Sequence, residues 1–172
     1  MKKAILIIFL VLDIIMFFLY YKYYIKTPEI IKYNAKTVSN IEKNKKETMK
    51  IYIPDDKYKY LKGIDVEIPY YKDKEKKIKA ILEKILPFEV KVLNIYIEKE
   101  NLYINLNSKF KEIVNDSEKE LYIVYSIVNT VTQVENIKKV KILIDNEEIK
   151  TVTGYLNYNK FFKQDDLLIE GE

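Results

Sequence analysis

Residues 120–148 read ELYIVYSIVNTVTQVENIKKVKILIDNEE, and a change of hydrophobic period inside this stretch decides the fold class. The stretch begins in Ser117-Glu118-Lys119-Glu120, which has the form of a capping box. In such a box the serine accepts from an amide of the first turn, and a glutamate three residues on reaches back. Leu121, Val124, Val128 and Val131 then recur at helical spacing as one apolar stripe, with Tyr125 beside it. The β-branched residues in this helix lower its own propensity, so packing on a sheet is expected to hold it. From Lys139 to Ile144 the period shortens to that of a strand. Asp145-Asn146-Glu147-Glu148 turns the chain, and Ile149 to Val152 is expected to pair back as a short strand.

Upstream lies the clearest hairpin. Leu93, Ile95 and Ile97 share one side, Glu98 to Asn101 connect, and Leu102, Ile104 and Leu106 return on that side, with Asn105 and Asn107 facing away. Before it, Asp73 caps a helix to Leu86 in which Ile78, Ile81, Leu82 and Ile85 form the buried face and Pro87 marks the end. Met49 to Ile53 and Tyr58 to Ile68 alternate as two strands of one sheet, joined through Pro54-Asp55-Asp56. Downstream, Gly154 opens a tail whose Leu156, Phe161, Phe162, Leu167, Leu168 and Ile169 are expected to fold back over a helix or sheet edge. The predicted order is β-β-α-β-β-α-β-β: an α/β (α+β) domain with a small mixed sheet and two helices on one face.

Three regions follow from these patterns. Residues 1–25 form an N-terminal transmembrane anchor, 26–48 a polar stalk or linker, and 49–170 the globular domain. Ala4 to Tyr21 is apolar but for Asp13, and its 18 residues span about 27 Å as a helix. Lys22 to Ile25 extend it to the thickness of a bilayer core, and Tyr20, Tyr21, Tyr23 and Tyr24 make an aromatic girdle at the exit. No small-residue cleavage pattern or lipidation cysteine follows, which favours an uncleaved anchor over a signal peptide. Lysines flank the apolar run on both sides, so charge bias alone leaves its orientation open. Asp13 is either protonated in the membrane or paired with another membrane protein.

Composition removes whole classes of chemistry. The 172 residues contain no Cys, His, Trp or Arg, so all 30 basic residues are lysines. Zinc sites built on Cys or His, Ser-His-Asp triads and cysteine nucleophiles are excluded, and no cofactor is expected. Setting aside Lys2, Lys3, Lys22 and Asp13, 27 lysines face 25 acids with both signs interspersed. That balance describes solvated surface and not a nucleic-acid footprint, and no arginine is present to read phosphate or guanine.

The candidate binding patch is Asn129, Thr130 and Thr132. Threonine and asparagine sit poorly inside a helix unless their side chains are used, either to meet a ligand or to bond to backbone and cap a loop. Asp55, Asp56 and Asp65 lack the ordered spacing of a calcium loop and read as a charged turn. No two acids are placed to face each other across a cleft, as glycoside cleavage requires. Tyr52, Tyr58, Tyr60, Tyr70 and Tyr71 cluster in sequence near the domain's start, as core or sheet residues or as an aromatic patch for glycan or peptide.

From Leu102 onward the chain resembles the GerMN domain, a module of sporulation and spore-germination proteins. The carrying segments are LYINLNSKF (102–110), residues 120–148 quoted above, and GYLNYNKFFKQDDLLI (154–169). The family's Asn-Thr-Leu-Thr run falls on Asn129-Thr130-Val131-Thr132. Its alternating strand falls on Ile137, Val140, Ile142 and Ile144, and Asn146 stands where the family has a turn glycine. Asparagine tolerates the left-handed backbone such a turn needs. The resemblance implies a domain tethered outside the cytoplasmic membrane and associated with envelope assembly, with no catalytic residues to carry over. The expected protein is a single-pass cell-membrane protein holding an extracytoplasmic binding or assembly module. Its partners are envelope proteins or peptidoglycan and, through residues 4–25, the bilayer, with no nucleic acid. A carboxylate-dependent cell-wall hydrolase is the alternative.

Overall fold

A computed structural model describes Met16 and residues 45–171. All of the expected anchor but Met16 and most of the expected stalk lie outside these residues; among the described ones no helix is long and apolar enough to cross a membrane. The elements are β1 (Lys46–Pro54), β2 (Leu61–Pro69), α1 (Lys74–Ile85), β3 (Val92–Glu98), β4 (Asn101–Leu106), α2 (Lys109–Ile113), α3 (Ser117–Val131) and β5 (Lys139–Ile144). A 3-10 turn, Asp166–Leu168, follows in the tail.

The strands form two sheets among the described residues, not the one expected. β1 and β2 make an antiparallel ribbon with Ile51 opposite Ile64. β3 pairs antiparallel with β4, and β4 parallel with β5, with Ile104 opposite Ile142. A parallel pair needs a long crossover, and α2 and α3 supply it between β4 and β5. One face of the three-stranded sheet carries Ile95, Leu102, Ile104, Leu106, Val140, Ile142 and Ile144, all buried with Ile78, Ile81 and Leu82 of α1 and Val124, Ile127, Val128 and Val131 of α3. Ile51 and Ile68 of the ribbon enter the same core, so the helices are shared by both sheets.

The helix caps follow from local chemistry. Asp73 accepts from the amides of Glu75 and Lys76, and α1 stops where Leu86, just before Pro87, turns extended. α3 starts one residue earlier than the capping-box reading places it. Asp116 is the cap and accepts from the Lys119 amide at 2.9 Å, and Ser117 is already helical. Glu120 is then four residues from the cap, too far along to reach back, and it turns inward.

Three other expectations are corrected. A bulge between Val92 and Asn94 makes Leu93 the extra residue and leaves it 49% exposed, while the Asn94 side chain accepts from the Ile95 amide. The strand expected at Ile149–Val152 is absent, and pairing stops at a single bridge, Ile144 to Glu147, before that segment begins. It goes no further because the amides of Val152 and Thr153 are turned toward the Glu120 carboxylate, at 3.3 and 3.5 Å. The short helix α2 stands where no helix is predicted. The turn before the bridge, Asp145-Asn146, has φ of 52° and 68°, the pair of positive angles a tight hairpin requires.

The sheet edges are covered by unlike devices. Along the outer edge of β1, α3 and the turn that follows it offer polar side chains at i, i+4 and i+7. Ser126 donates to the Tyr52 carbonyl at 2.6 Å, Thr130 accepts from the Tyr52 amide at 2.9 Å, and Gln133 donates to the Lys50 carbonyl at 2.6 Å. A helix face thus does what a neighbouring strand would do. The tail covers two further edges. Phe162 exchanges both backbone hydrogen bonds with Val140 of β5, and Ile169 bridges to Leu61 of β2, where Glu170 donates to the Leu61 carbonyl.

Candidate functional site

Asn129 and Thr130 are fully buried, and Thr132 is half-buried. The Asn129 amide forms a two-way clamp on the tail, donating to the Asp165 carbonyl at 2.8 Å and accepting from the Asp165 amide at 3.0 Å. Thr130 is the middle contact of the β1 edge cover. Thr132 donates back to the Val128 carbonyl at 2.8 Å, a local bond that ends the helix, and its oxygen lies 3.4 Å from Gln164. These side chains thus satisfy backbone within the domain.

The five early tyrosines are all half-buried and do not form one surface. The length of β2 separates Tyr60, under the Lys62 ammonium, from Tyr70, under that of Lys45.

Among the described residues the carboxylates gather into no reactive pair. Asp55 lies in a cleft of about 350 Å³ with Asp56, Tyr58, Leu86, Pro87 and Ile127. Burial pushes its pKa up, but hydrogen bonds from the amides of Lys59, Tyr60 and Lys57 outweigh this and hold the carboxyl below its ordinary value. A catalytic acid needs the opposite shift. Glu120 is fully buried but committed to the 152–153 loop, including the Thr153 hydroxyl. Beside it, burial and then the Glu120 charge raise the Tyr158 phenol well above its ordinary range. The Tyr158 hydroxyl has no hydrogen bond of acceptable geometry. Among the described residues no group of three or more acids is placed to hold a metal ion.

The remaining surface of interest is the outer face of the three-stranded sheet. Tyr96 on β3 stands directly opposite Tyr103 on β4, ring centroids 5.8 Å apart, and Tyr103 meets Phe161 of the tail edge-on at 5.5 Å. Tyr96 is 55% exposed, while Tyr103 and Phe161 are half-buried. Asparagines flank this aromatic row. Asn105 is buried and holds the hairpin turn, donating to the Asn146 side chain at 2.7 Å and accepting from its amide at 2.9 Å. Asn94, Tyr96, Tyr103, Asn105, Leu143 and Asn146 together line a shallow hollow of about 220 Å³. None of the six carries a charge, in a chain of which one-third is charged. On the same face, the nearly buried Lys141 is neutralised by Glu148 at 2.9 Å and donates to the Asn159 carbonyl. Sequence reasoning does not single this face out, although the alternation that faces Asn105 outward also faces Tyr103 outward.

No curated protein matches the chain. Among solved structures it is similar to a crystal structure titled as a lipoprotein from Clostridium perfringens. Identity there is 27% and the TM-score 0.48, over 70% of this chain and 89% of the other. It is also similar to the tandem GerMN domains of the sporulation protein GerM from Bacillus subtilis, at 23% identity and a TM-score of 0.50, over 64% of this chain and 43% of that one. The first GerMN domain of the same protein matches at 26% identity and a TM-score of 0.47, over 62% and 88%. The tandem structure supports a common fold, and the family profile described as sporulation and spore germination matches residues 50–150, which is more than half of the sequence. The chain therefore belongs to the Germane family of sporulation and spore-germination domains.

Proposed function

We propose that this protein is a membrane-tethered, extracytoplasmic module of the cell envelope that works by binding and not by catalysis. The observation that carries this reading is the uncharged, aromatic hollow on the outer face of the three-stranded sheet. It is left open in a domain that covers the outer edge of β1 and pairs its tail with β2 and β5. Family membership supports a place in the envelope, since relatives are titled as a lipoprotein and as a sporulation protein. The apolar run from Ala4 to Tyr21 supports a tether made by the chain itself, with residues 26–48 as the stalk. The absence of cysteine suits a domain exposed to oxidants. Asn129, and Thr132 through Gln164, then serve the binding face indirectly by fixing the tail that carries Phe161, while Thr130 holds β1 to α3.

The test is crosslinking of the full-length protein in living cells with a membrane-impermeant reagent, followed by mass spectrometry. Crosslinks from lysines of the domain to envelope proteins or wall fragments are expected. A domain that stays unlabelled in intact cells, yet labels fully after lysis, would place it in the cytoplasm and overturn the proposal.

A further inference from the structure

We infer that the outer face of the three-stranded sheet is a glycan-binding face, and that its ligand is an uncharged stretch of cell-wall polysaccharide stacked on Tyr96. The inference rests on the binding-module reading and names the ligand class and the residues.

The chemistry of the hollow selects the ligand. A sugar ring has a face of C–H groups that packs on an aromatic face, and an edge of hydroxyl and acetamido groups that needs donors and acceptors. Tyr96 supplies an exposed ring packed beside Tyr103, which Phe161 in turn meets edge-on, so a neighbouring ring limits its orientation before a ligand arrives. Asn94 and Asn146 supply the polar edge. The oxygen of Asn94 is taken by the Ile95 amide and that of Asn146 by Asn105. Each exposed carboxamide keeps an NH₂ with no protein partner among the described residues, free to donate to a sugar oxygen.

Other ligand classes fit less well. Nucleic acid and anionic lipid require basic side chains, and none lines the hollow. An extended peptide gains affinity by adding to a strand edge. Here β4 lies in the middle of the sheet and β5 is already bridged by Phe162, and a strand added at the outer edge of β3 would lie beside the hollow and not over it. A charged protein surface would meet Glu98 and Lys139 at the far end of the face, but no charge lines the hollow itself, and Lys141 beside it is already paired with Glu148. An uncharged, hydroxyl-rich polymer asks for what the face offers.

The experiment is co-sedimentation of the full-length protein, in mild detergent, with purified insoluble cell-wall polymer. It is paired with saturation-transfer NMR from the protein's aromatic protons to a β-1,4-linked N-acetylglucosamine hexamer. Saturable sedimentation and transfer to the sugar ring protons are expected. Tyr96→Ala is expected to weaken both roughly tenfold, the worth of one stacked ring, and Tyr96→Phe by less than about twofold. The exposure of Tyr96 makes Tyr96→Ala tolerable to the fold, and an unchanged melting midpoint checks this. Wild-type protein that fails to sediment, or Tyr96→Ala that binds as well as wild type, would overturn the inference. So would concentration-dependent self-association lost in Tyr96→Ala, which would make this face a contact between copies of the chain. If the in-cell crosslinks capture envelope proteins while the polymer goes unbound, the glycan face falls and the binding-module reading stands. If neither is seen, both fall.

Discussion

Replacing Asn129 by aspartate turns the buried clamp on the tail into a proton-dependent one. In the wild-type domain the carboxamide is complementary to the backbone of Asp165, with one donor to its carbonyl and one acceptor for its amide. A carboxylate keeps the acceptor and loses the donor, setting a charged oxygen against the Asp165 carbonyl at a fully buried position. Burial and that repulsion raise the folded-state pKa of the new acid, by about 3 units for a site this enclosed. At neutral pH this costs roughly 4 kcal/mol, whereas Asn129→Ala, which deletes two hydrogen bonds of about 1 kcal/mol each, costs about 2. The sign follows from linkage. The folded state of Asn129→Asp holds its proton more tightly than the unfolded state, whose pKa is near 4. Its deficit is therefore smallest below that value, where the neutral acid can donate to the carbonyl. The deficit grows as pH rises toward the raised folded value. Thermal melts of wild type, Asn129→Ala and Asn129→Asp from pH 4 to pH 8 read this directly, at about 3–4 °C per kcal/mol for a domain of this size. Asn129→Asp should melt above Asn129→Ala at the acid end and well below it at the neutral end. Two variants that track each other across the range would refute the clamp.

Thr130→Val keeps shape but strands the amide of Tyr52, so a loss of about 1–3 kcal/mol is expected by urea denaturation, with faster hydrogen exchange at Tyr52. Tyr158→Phe removes a hydroxyl that is buried without a hydrogen bond, and should leave stability unchanged or raise it by about 1 kcal/mol in the same assay. With its pKa raised by burial and by Glu120, Tyr158 should stay un-ionised in the folded domain beyond pH 10. The unfolded chain's Tyr158 ionises near pH 10 while the folded one does not, so wild type should lose stability relative to Tyr158→Phe as pH rises above 10, with late tyrosinate absorbance in the wild-type domain. The Lys119 amide, assisted by its ammonium, holds the Asp116 carboxyl below its ordinary pKa. Melts of Asp116→Ala should therefore differ from wild type above the unfolded-state value near pH 4, and converge as pH falls through the depressed one.

The sequence made legible what burial writes periodically. The α3 stripe, the alternation of β4 and β5, the Asp73 cap and the Pro87 stop each depend on a few adjacent residues. What stayed hidden depends on partners distant in the chain. Leu93 continues a regular alternation on paper, and only the strand it faces reveals that β3 carries one residue too many. Glu120 completes a capping motif by spacing, yet its partners lie more than thirty residues on. The oddness of threonine and asparagine inside α3 was visible, and the structure supplies its cause in Tyr52 and Asp165. Tyr96 and Tyr103 drew no notice beside the denser run from Tyr52 to Tyr71, because adjacency in sequence is a poor guide to a surface built by pairing strands.

The tail that pairs with Val140 and Leu61 also sets a schedule. A ribosome releases this chain from the N-terminal end, so β2 and β5 wait with open edges until Phe162 and Ile169 emerge. The segment from Phe162 to Ile169 therefore acts as a closing step: a chain stopped short of Phe162 would present much of the outer edge of β5 unpaired to every neighbour it met.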